Sequence, residues 1–329
     1  MAIRHLCLGL LLCSVTPAIS AYAEQVVLHR SGDTVTVNIG GKQFTTYNFD
    51  PAIAKAYLQP LHAASGVIVT RNFPDMTTVP VDHLHDPGLE PHQRPLYFAH
   101  GDINGSNFWA ESVFSKFYPA SMPRRFGSMV FRSLDEMHGG SSSGIIRASF
   151  DLVDADEKKF AVEQQTFVFR GDSDTRMIDC TIAIRALAAP VKFGDTKEGS
   201  FAIRLAPELT APRGTMSNSV GQTGEKEVWG KRADWLNVDG VIDGNKVGVT
   251  VFDHPENLRH PTYWHARGYG LVAANPFGLS YFLNDPRQDG SYTIEPGKAM
   301  TLRYRVLIHD GVYTPAQISA KYHEYTGRP

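Results

Sequence analysis

Seven of the thirteen histidines fall in two short stretches, four between positions 83 and 100 and three between 254 and 265. Imidazole titrates nearest neutrality, so such crowding marks a place for proton transfer or metal ligation. Strict alternation through residues 91–109 predicts one strand face carrying His92, Arg94, Leu96, Phe98, His100 and Asp102, provided Pro95 introduces no bulge. That mixture of imidazole, guanidinium, carboxylate and apolar groups suits a ligand floor better than a core. In residues 252–278 a Pro-rich loop with His254, Arg259 and His260 leads into a strand on which His265, Arg267 and Tyr269 share a face. Trp264 or Tyr263 would be the stacking surface beside it. Sugars bind in this way, with CH faces against aromatic rings and hydroxyls against short polar groups.

A third segment, residues 193–207, gathers Asp195, Lys197, Glu198 and Arg204 around Gly194 and Gly199. Glu198 beside a glycine reads as an accessible general base, or the segment is a solvated turn. Glu163 and Gln165 form a weaker pair. His92, His100 and His265 with Asp102 or Glu198 would also offer ligands to a divalent metal, although no H-x-x-x-H helix and no Cys pair accompany them, and no metal or other cofactor is assigned. No P-loop or G-x-G-x-x-G is present, and the G-x-S-x-G letters of residues 140–144 read as a flexible turn, not a nucleophile elbow, which sets aside serine hydrolase, NTPase and dinucleotide chemistry. Ser141, Ser142 and Ser143, flanked by glycines, read as a turn.

The elements that must position these groups read as antiparallel β. Period-two alternation recurs over 34–39, 160–170, 177–186, 245–252 and 300–309, with Gly or Pro punctuation between. Two helices are suggested: a two-turn start at Asp50-Pro51, which could equally be extended, and a C-terminal helix whose capping box is Thr314 and Gln317 with Pro315 at its first position. No fixed-period repeat and no linker composition interrupts residues 24–329, so a single domain is expected there.

Composition bounds the rest. The 329 residues hold 32 Lys+Arg against 34 Asp+Glu, a net charge of -2, and show no basic patch, so nucleic acid is not an expected partner. Arg4 and His5 precede an apolar run from Leu6 to Val15 and the A-x-A sequence Ala21-Tyr22-Ala23, which reads as a signal peptide over residues 1–23. The protein is therefore expected in the periplasm or outside the cell. No later segment approaches the roughly 20 apolar residues of a membrane span. Cleavage would remove Cys7 and Cys13 and leave Cys180, on the apolar face of its strand, as a buried thiol. Nothing bears on oligomeric state.

The three long stretches 91–109, 193–207 and 252–278 resemble the signature blocks of the PmoA-like domain family, a domain of unknown function in exported bacterial proteins, over about Tyr57 to Tyr325. The family pattern D-H-P-H-H-R-G-L-W-F stands here as L-E-P-H-Q-R-P-L-Y-F, so His92 and Arg94 carry over while Gln93 replaces an imidazole. His100, Asp102, Asn104, Lys197, Glu198, Arg204, His254, His260, His265 and Asn275 match the remaining pattern. The resemblance implies a large antiparallel β-sandwich similar to the galactose-mutarotase supersandwich, and hence a carbohydrate ligand. By analogy with such enzymes, His265 or His100 would donate a proton while Glu198 accepts one, with the other matching residues, Trp264 and Arg267 binding substrate. Three readings follow: a saccharide hydrolase, lyase or epimerase; a carbohydrate-binding module without chemistry; and the metal-dependent oxygenase that the family's label, methane oxygenase, suggests.

Overall fold

The structure is a computed structural model that describes residues 23–73 and 88–327. The expected signal peptide, with Cys7 and Cys13, and the histidines at 83 and 85 lie outside the described residues.

Eighteen strands are built in chain order: β1 (Val26–Ser31), β2 (Thr34–Ile39), β3 (Lys42–Asn48), β4 (Tyr57–Leu58), β5 (Leu96–His100), β6 (Ser128–His138), β7 (Gly144–Val153), β8 (Lys159–Gly171), β9 (Thr175–Ala186), β10 (Val191–Phe193), β11 (Gly199–Arg204), β12 (Thr215–Asn218), β13 (Trp235–Ile242), β14 (Asn245–Asp253), β15 (Tyr263–Arg267), β16 (Leu271–Asn275), β17 (Tyr292–Ile294) and β18 (Ala299–Asp310). Sixteen of them form two eight-stranded antiparallel sheets, ordered β1-β2-β3-β4-β5-β11-β16-β15 and β12-β13-β14-β18-β9-β8-β7-β6, and β10 pairs with β17. The five alternating segments of the sequence are β2, β8, β9, β14 and β18, so the expected all-β sandwich is what the chain forms.

Period two decides which side chains meet. Phe201, Ile203, Val272, Ala274 and Trp264 of the first sheet share one hydrophobic cluster with Ile182, Leu302, Tyr304 and Val306 of the second. Cys180 is buried in that layer, and burial pushes its thiol well above the ordinary range, which keeps it protonated and inert. Glu163 and Gln165 also point into this layer, where Gln165 donates to Glu163 at 2.8 Å and accepts from the Tyr47 hydroxyl at 2.8 Å. They form a core network, and burial raises Glu163 to about 8.

Three short α-helices stand among the described residues, α1 (Gly224–Val228), α2 (Leu279–Phe282) and α3 (Pro315–Thr326), with 3-10 turns at Ser112–Phe117 and Pro207–Leu209. In α3 the capping box of Thr314 and Gln317 is formed from both sides. Its Ile318 and Tyr322 pack with Trp235, Phe252 and Leu307 on the outer face of the second sheet. The helix suggested at Asp50 is a turn instead: the Asp50 side chain accepts from Ala52 N at 2.7 Å, an Asx-type contact that competes with helix. Among the described residues no helix is long and apolar enough to cross a membrane.

Candidate functional site

The outer face of the first sheet, opposite the core, is where the stretches converge. On that face Tyr97, Ala99, Ala202, Leu271 and Ala273 form a second small cluster with Trp109, flanked by Tyr57 and Tyr269. Alanine on three adjacent strands leaves a shallow floor that larger side chains would fill. Beside it lies a cavity of about 500 Å³ whose walls include His92, Trp109, Glu198, Glu225, His265 and Tyr269. That volume suits one small ligand.

Each wall has its own support. Residues 88–93 form a loop whose carbonyls are gathered by buried guanidinium groups: Arg71 donates to Gly88 O at 3.2 Å, Leu89 O at 2.7 Å and Gln93 O at 2.8 Å, while Arg204 reaches Gly88 O and Tyr269 O. Glu90, at φ 30°, is held in a left-handed conformation within this loop. The turn presenting Glu198 is pinned by Asn275, whose amide donates to the carbonyls of Thr196 at 2.9 Å and Lys197 at 3.0 Å. Gly199 is required there, since a Cβ would lie 2.5 Å from His100 Nδ1. His265 and Arg267 stand on the outer face of β15, and Arg267 pairs with Glu225 of α1 at 2.9 Å.

Electrostatics sort these groups. Burial raises Glu198 to about 7; Lys197, with its ammonium 3.9 Å away, and Arg267 oppose that, while Glu90 adds to it. The side chain remains about a third exposed, so it faces the cavity rather than the core. Burial first, then Arg267 and Lys197, lowers His265 to about 3. Burial, then Lys55, Arg71, Arg94 and Arg204, holds His92 well below the ordinary imidazole range. Both imidazoles are thus neutral at pH 7, and Glu198 is the group that exchanges a proton there. Among the described residues the buried His92 Nδ1, His265 Nδ1 and Trp109 Nε1 have no hydrogen-bond partner, although His265 is also bonded by the Lys197 backbone, which leaves donor and acceptor capacity in the cavity walls unspent.

The sequence-predicted residues divide accordingly. His92, Lys197, Glu198, His265 and Arg267 line the cavity; Arg204 and Asn275 brace it. The face assignment for residues 91–109 is corrected: β5 begins only at Leu96, so the alternation does not extend back to His92 and Arg94. Leu96 and Phe98 face the core, and His100 follows them inward, fully buried between Phe193 and Phe277 with Nε2 2.8 Å from Gly194 O. Burial lowers it to about 4, so it is neither exposed nor charged. Trp264 likewise lies in the core and donates to Ala233 O at 2.9 Å instead of offering a stacking face. Arg94 is consumed by the buried Glu111, with Nε donating at 2.7 Å. Asp102 closes a turn by accepting from Gly105 N at 2.8 Å, and Asn104 ties that turn to β10 by accepting from Lys192 N at 2.8 Å, both away from the cavity.

His254 and His260 belong to a different cluster beside α3. The His254 ring stands 5.2 Å from that of Tyr325. His260 lies 2.7 Å from Asp253 and 3.3 Å from Asp234, and although burial opposes it, bonds to Asp234 and Asp253 and their charges raise it to about 9. Asp253 is itself raised, because burial outweighs its partners there. Since the His260 pKa is above its unfolded value, the stabilisation is full below about pH 6.5 and lost as pH rises through about 9. Allowing for screening at the exposed Asp234, His260→Asn is expected to cost roughly 1–2 kcal/mol at pH 6 and little at pH 10. Urea unfolding at the two pH values measures this, and an equal cost at both would show that the charge is unimportant.

Among the described residues no group of three or more His, Cys, Asp or Glu side chains is arranged to hold a metal ion, because His100 is turned away from His92 and His265. Tyr118, Glu225 and Trp109 are cavity residues the sequence reading passed over; only Trp109, closing the first block, lay within a segment already singled out.

The chain belongs to the family of unknown function DUF6807, whose model matches residues 34–323. The PmoA-like name is not shown by this family match. No curated protein matches the chain. Solved structures similar to it include a galactose mutarotase-like protein from Clostridium acetobutylicum, at 10% identity and a TM-score of 0.34, covering 88% of this chain and 99% of that one. Another is galactose 1-epimerase from Lactobacillus acidophilus, at 10% identity and a TM-score of 0.36, covering 89% and 100%. At such scores neither says what this chain binds.

Proposed function

We propose that the protein is an exported carbohydrate-active enzyme in which Glu198 takes a proton from a bound saccharide. The observation that carries this is a carboxyl poised at about 7 in the same cavity as two neutral imidazoles with unspent nitrogens and the aromatic walls Trp109, Tyr118 and Tyr269. Ionised Glu198 serves as the base, and a neutral imidazole N–H of His265 or His92 hydrogen-bonds the oxygen on which charge develops. His265 as an imidazolium acid is disfavoured by its low pKa, which shifts the division of labour toward Glu198. Lys197 and Arg267 lie close enough to steady a developing oxyanion. Epimerisation or elimination at an acidic C–H, or base-assisted hydrolysis, fits these groups.

The competing reading is a carbohydrate-binding module with the same cavity. Calorimetric titration with a panel of mono- and oligosaccharides, followed by mass spectrometry of the recovered ligand, separates the two. The expected result is a bound sugar recovered in altered form. Tight binding with unaltered ligand would establish the module, and no binding across the panel would remove the saccharide reading.

A further inference from the structure

We propose that the cavity is the middle of a longer groove and that its ligand is a neutral oligosaccharide chain; this rests on the saccharide reading above. The central cavity shares wall residues with two neighbouring recesses. Gly88 and Tyr269 are shared with a recess of about 1120 Å³ bounded further by Ile68, Arg204 and Thr210. Lys197 and Arg267 are shared with a second recess, of about 630 Å³, bounded by Trp229, Tyr281 and Asp285. Glu198 and His265 line the central cavity and neither of these two recesses, and each recess meets the cavity at a different pair of wall residues. A single sugar would occupy the centre and leave both flanks empty, whereas a chain would use all three.

The flanks carry features that suit sugar rings. Tyr281 is 47% exposed, which leaves its ring open for a sugar face to stack on. Trp229 stands next to it in the same recess, with the Arg267 guanidinium 5.3 Å from its ring. At the opposite junction Tyr269 is half-buried, with Arg204 4.4 Å from its ring.

Charge argues for a neutral chain. Arg267 is matched by Glu225 and Lys197 by Glu198, and Arg71 and Arg204 direct donors to backbone carbonyls. Glu208 and Asp243 border one recess and Asp195 and Asp285 the other, with Asp285 paired to Arg287 at 2.9 Å, so among the described residues neither recess offers a uronic-acid chain an unmatched cation.

Length dependence tests the proposal. Affinity by calorimetry and kcat/KM are measured on ladders of cello-, xylo-, manno- and chito-oligosaccharides from the monomer upward, with oligogalacturonides as the anionic arm. Both quantities are expected to rise on one neutral ladder until about three units are present, by up to about tenfold for each unit that stacks on an aromatic side chain. Tyr281→Ala is expected to lower the ratio of long- to short-chain kcat/KM by about tenfold, and Tyr281→Trp to restore it. Equal values for monomer and oligomer, or a preference for oligogalacturonides, would overturn this proposal while leaving a saccharide site at Glu198. No binding at any length would overturn both.

Discussion

Glu198→Gln is expected to lower kcat/KM by about 10³-fold while making the fold more resistant to urea at pH 8. The two effects share one cause. Burial, partly countered by Lys197 and reinforced by Glu90, holds the folded carboxyl at about 7, above its ordinary value of 4.5. A group raised in this way contributes stability that is full below the unfolded pKa and lost as pH rises through the folded one. At pH 8 the ionised carboxylate therefore works against folding, and the amide removes that cost along with the base. A residue serving structure alone would lose stability on substitution, so gain of stability with loss of turnover marks a functional group. In the unsubstituted protein kcat/KM is expected to rise with pH through about 7 and to show no imidazole limb between 5 and 8, because His265 and His92 titrate far below. A limb that falls through 7 would make Glu198 the acid, and full turnover in the Gln variant would end its assignment to proton transfer.

What the sequence made legible follows from which contacts are local. Alternation is a property of neighbours along the chain, so β2, β8, β9, β14 and β18 and the partition of Met300, Leu302, Tyr304, Val306 and Ile308 toward the core could be read directly. The α3 capping box spans only Thr314 to Gln317 and was equally readable. His265 and Arg267 were placed on the correct face of β15 for the same reason. His100 departs from this, because residues 91–95 lie before β5 and the alternation does not run through Pro95. The apolar pair Leu96 and Phe98, at the same parity as His100, carried the signal that this face is the core. Arg94 shows a different limit: its partner Glu111 lies 17 positions away beyond a strand and a turn, and no spacing rule connects them. The bracing of the cavity loop by Arg71, and of the Glu198 turn by Asn275, likewise depends on chain crossings that only the assembled sheet creates.

Removing the Glu111 carboxylate is expected to be among the most destabilising single changes to the site, at about 3–5 kcal/mol for Glu111→Ala. Glu111 is 1% exposed and stands between two cations that are also buried: Arg94, which grips it with Nε and Nη2, and Lys55, whose ammonium lies 3.4 Å away. Burial already lowers Lys55 to about 8 in spite of Glu111, which pulls the other way, and Arg94 lowers it further. Without the carboxylate both cations stay out of water with no counter-charge among the described residues. The Arg94 guanidinium keeps only aromatic faces, its centre 4.2 Å from the Phe73 ring, and Lys55 keeps the carbonyls of Phe108 and Trp109. Glu111 also donates its backbone N–H to the Tyr118 hydroxyl at 2.9 Å, so the knot lies directly behind the Trp109–Tyr118 wall of the cavity. Urea unfolding measures the loss. The triple variant Lys55→Met, Arg94→Leu, Glu111→Leu should recover most of it, because the cost arises from stranded charge and not from lost volume. If that triple variant also retains saccharide turnover, Arg94 acts by holding the wall. If it folds but has lost substrate affinity, the charged knot sets the position of the wall and is more than a source of stranded charge.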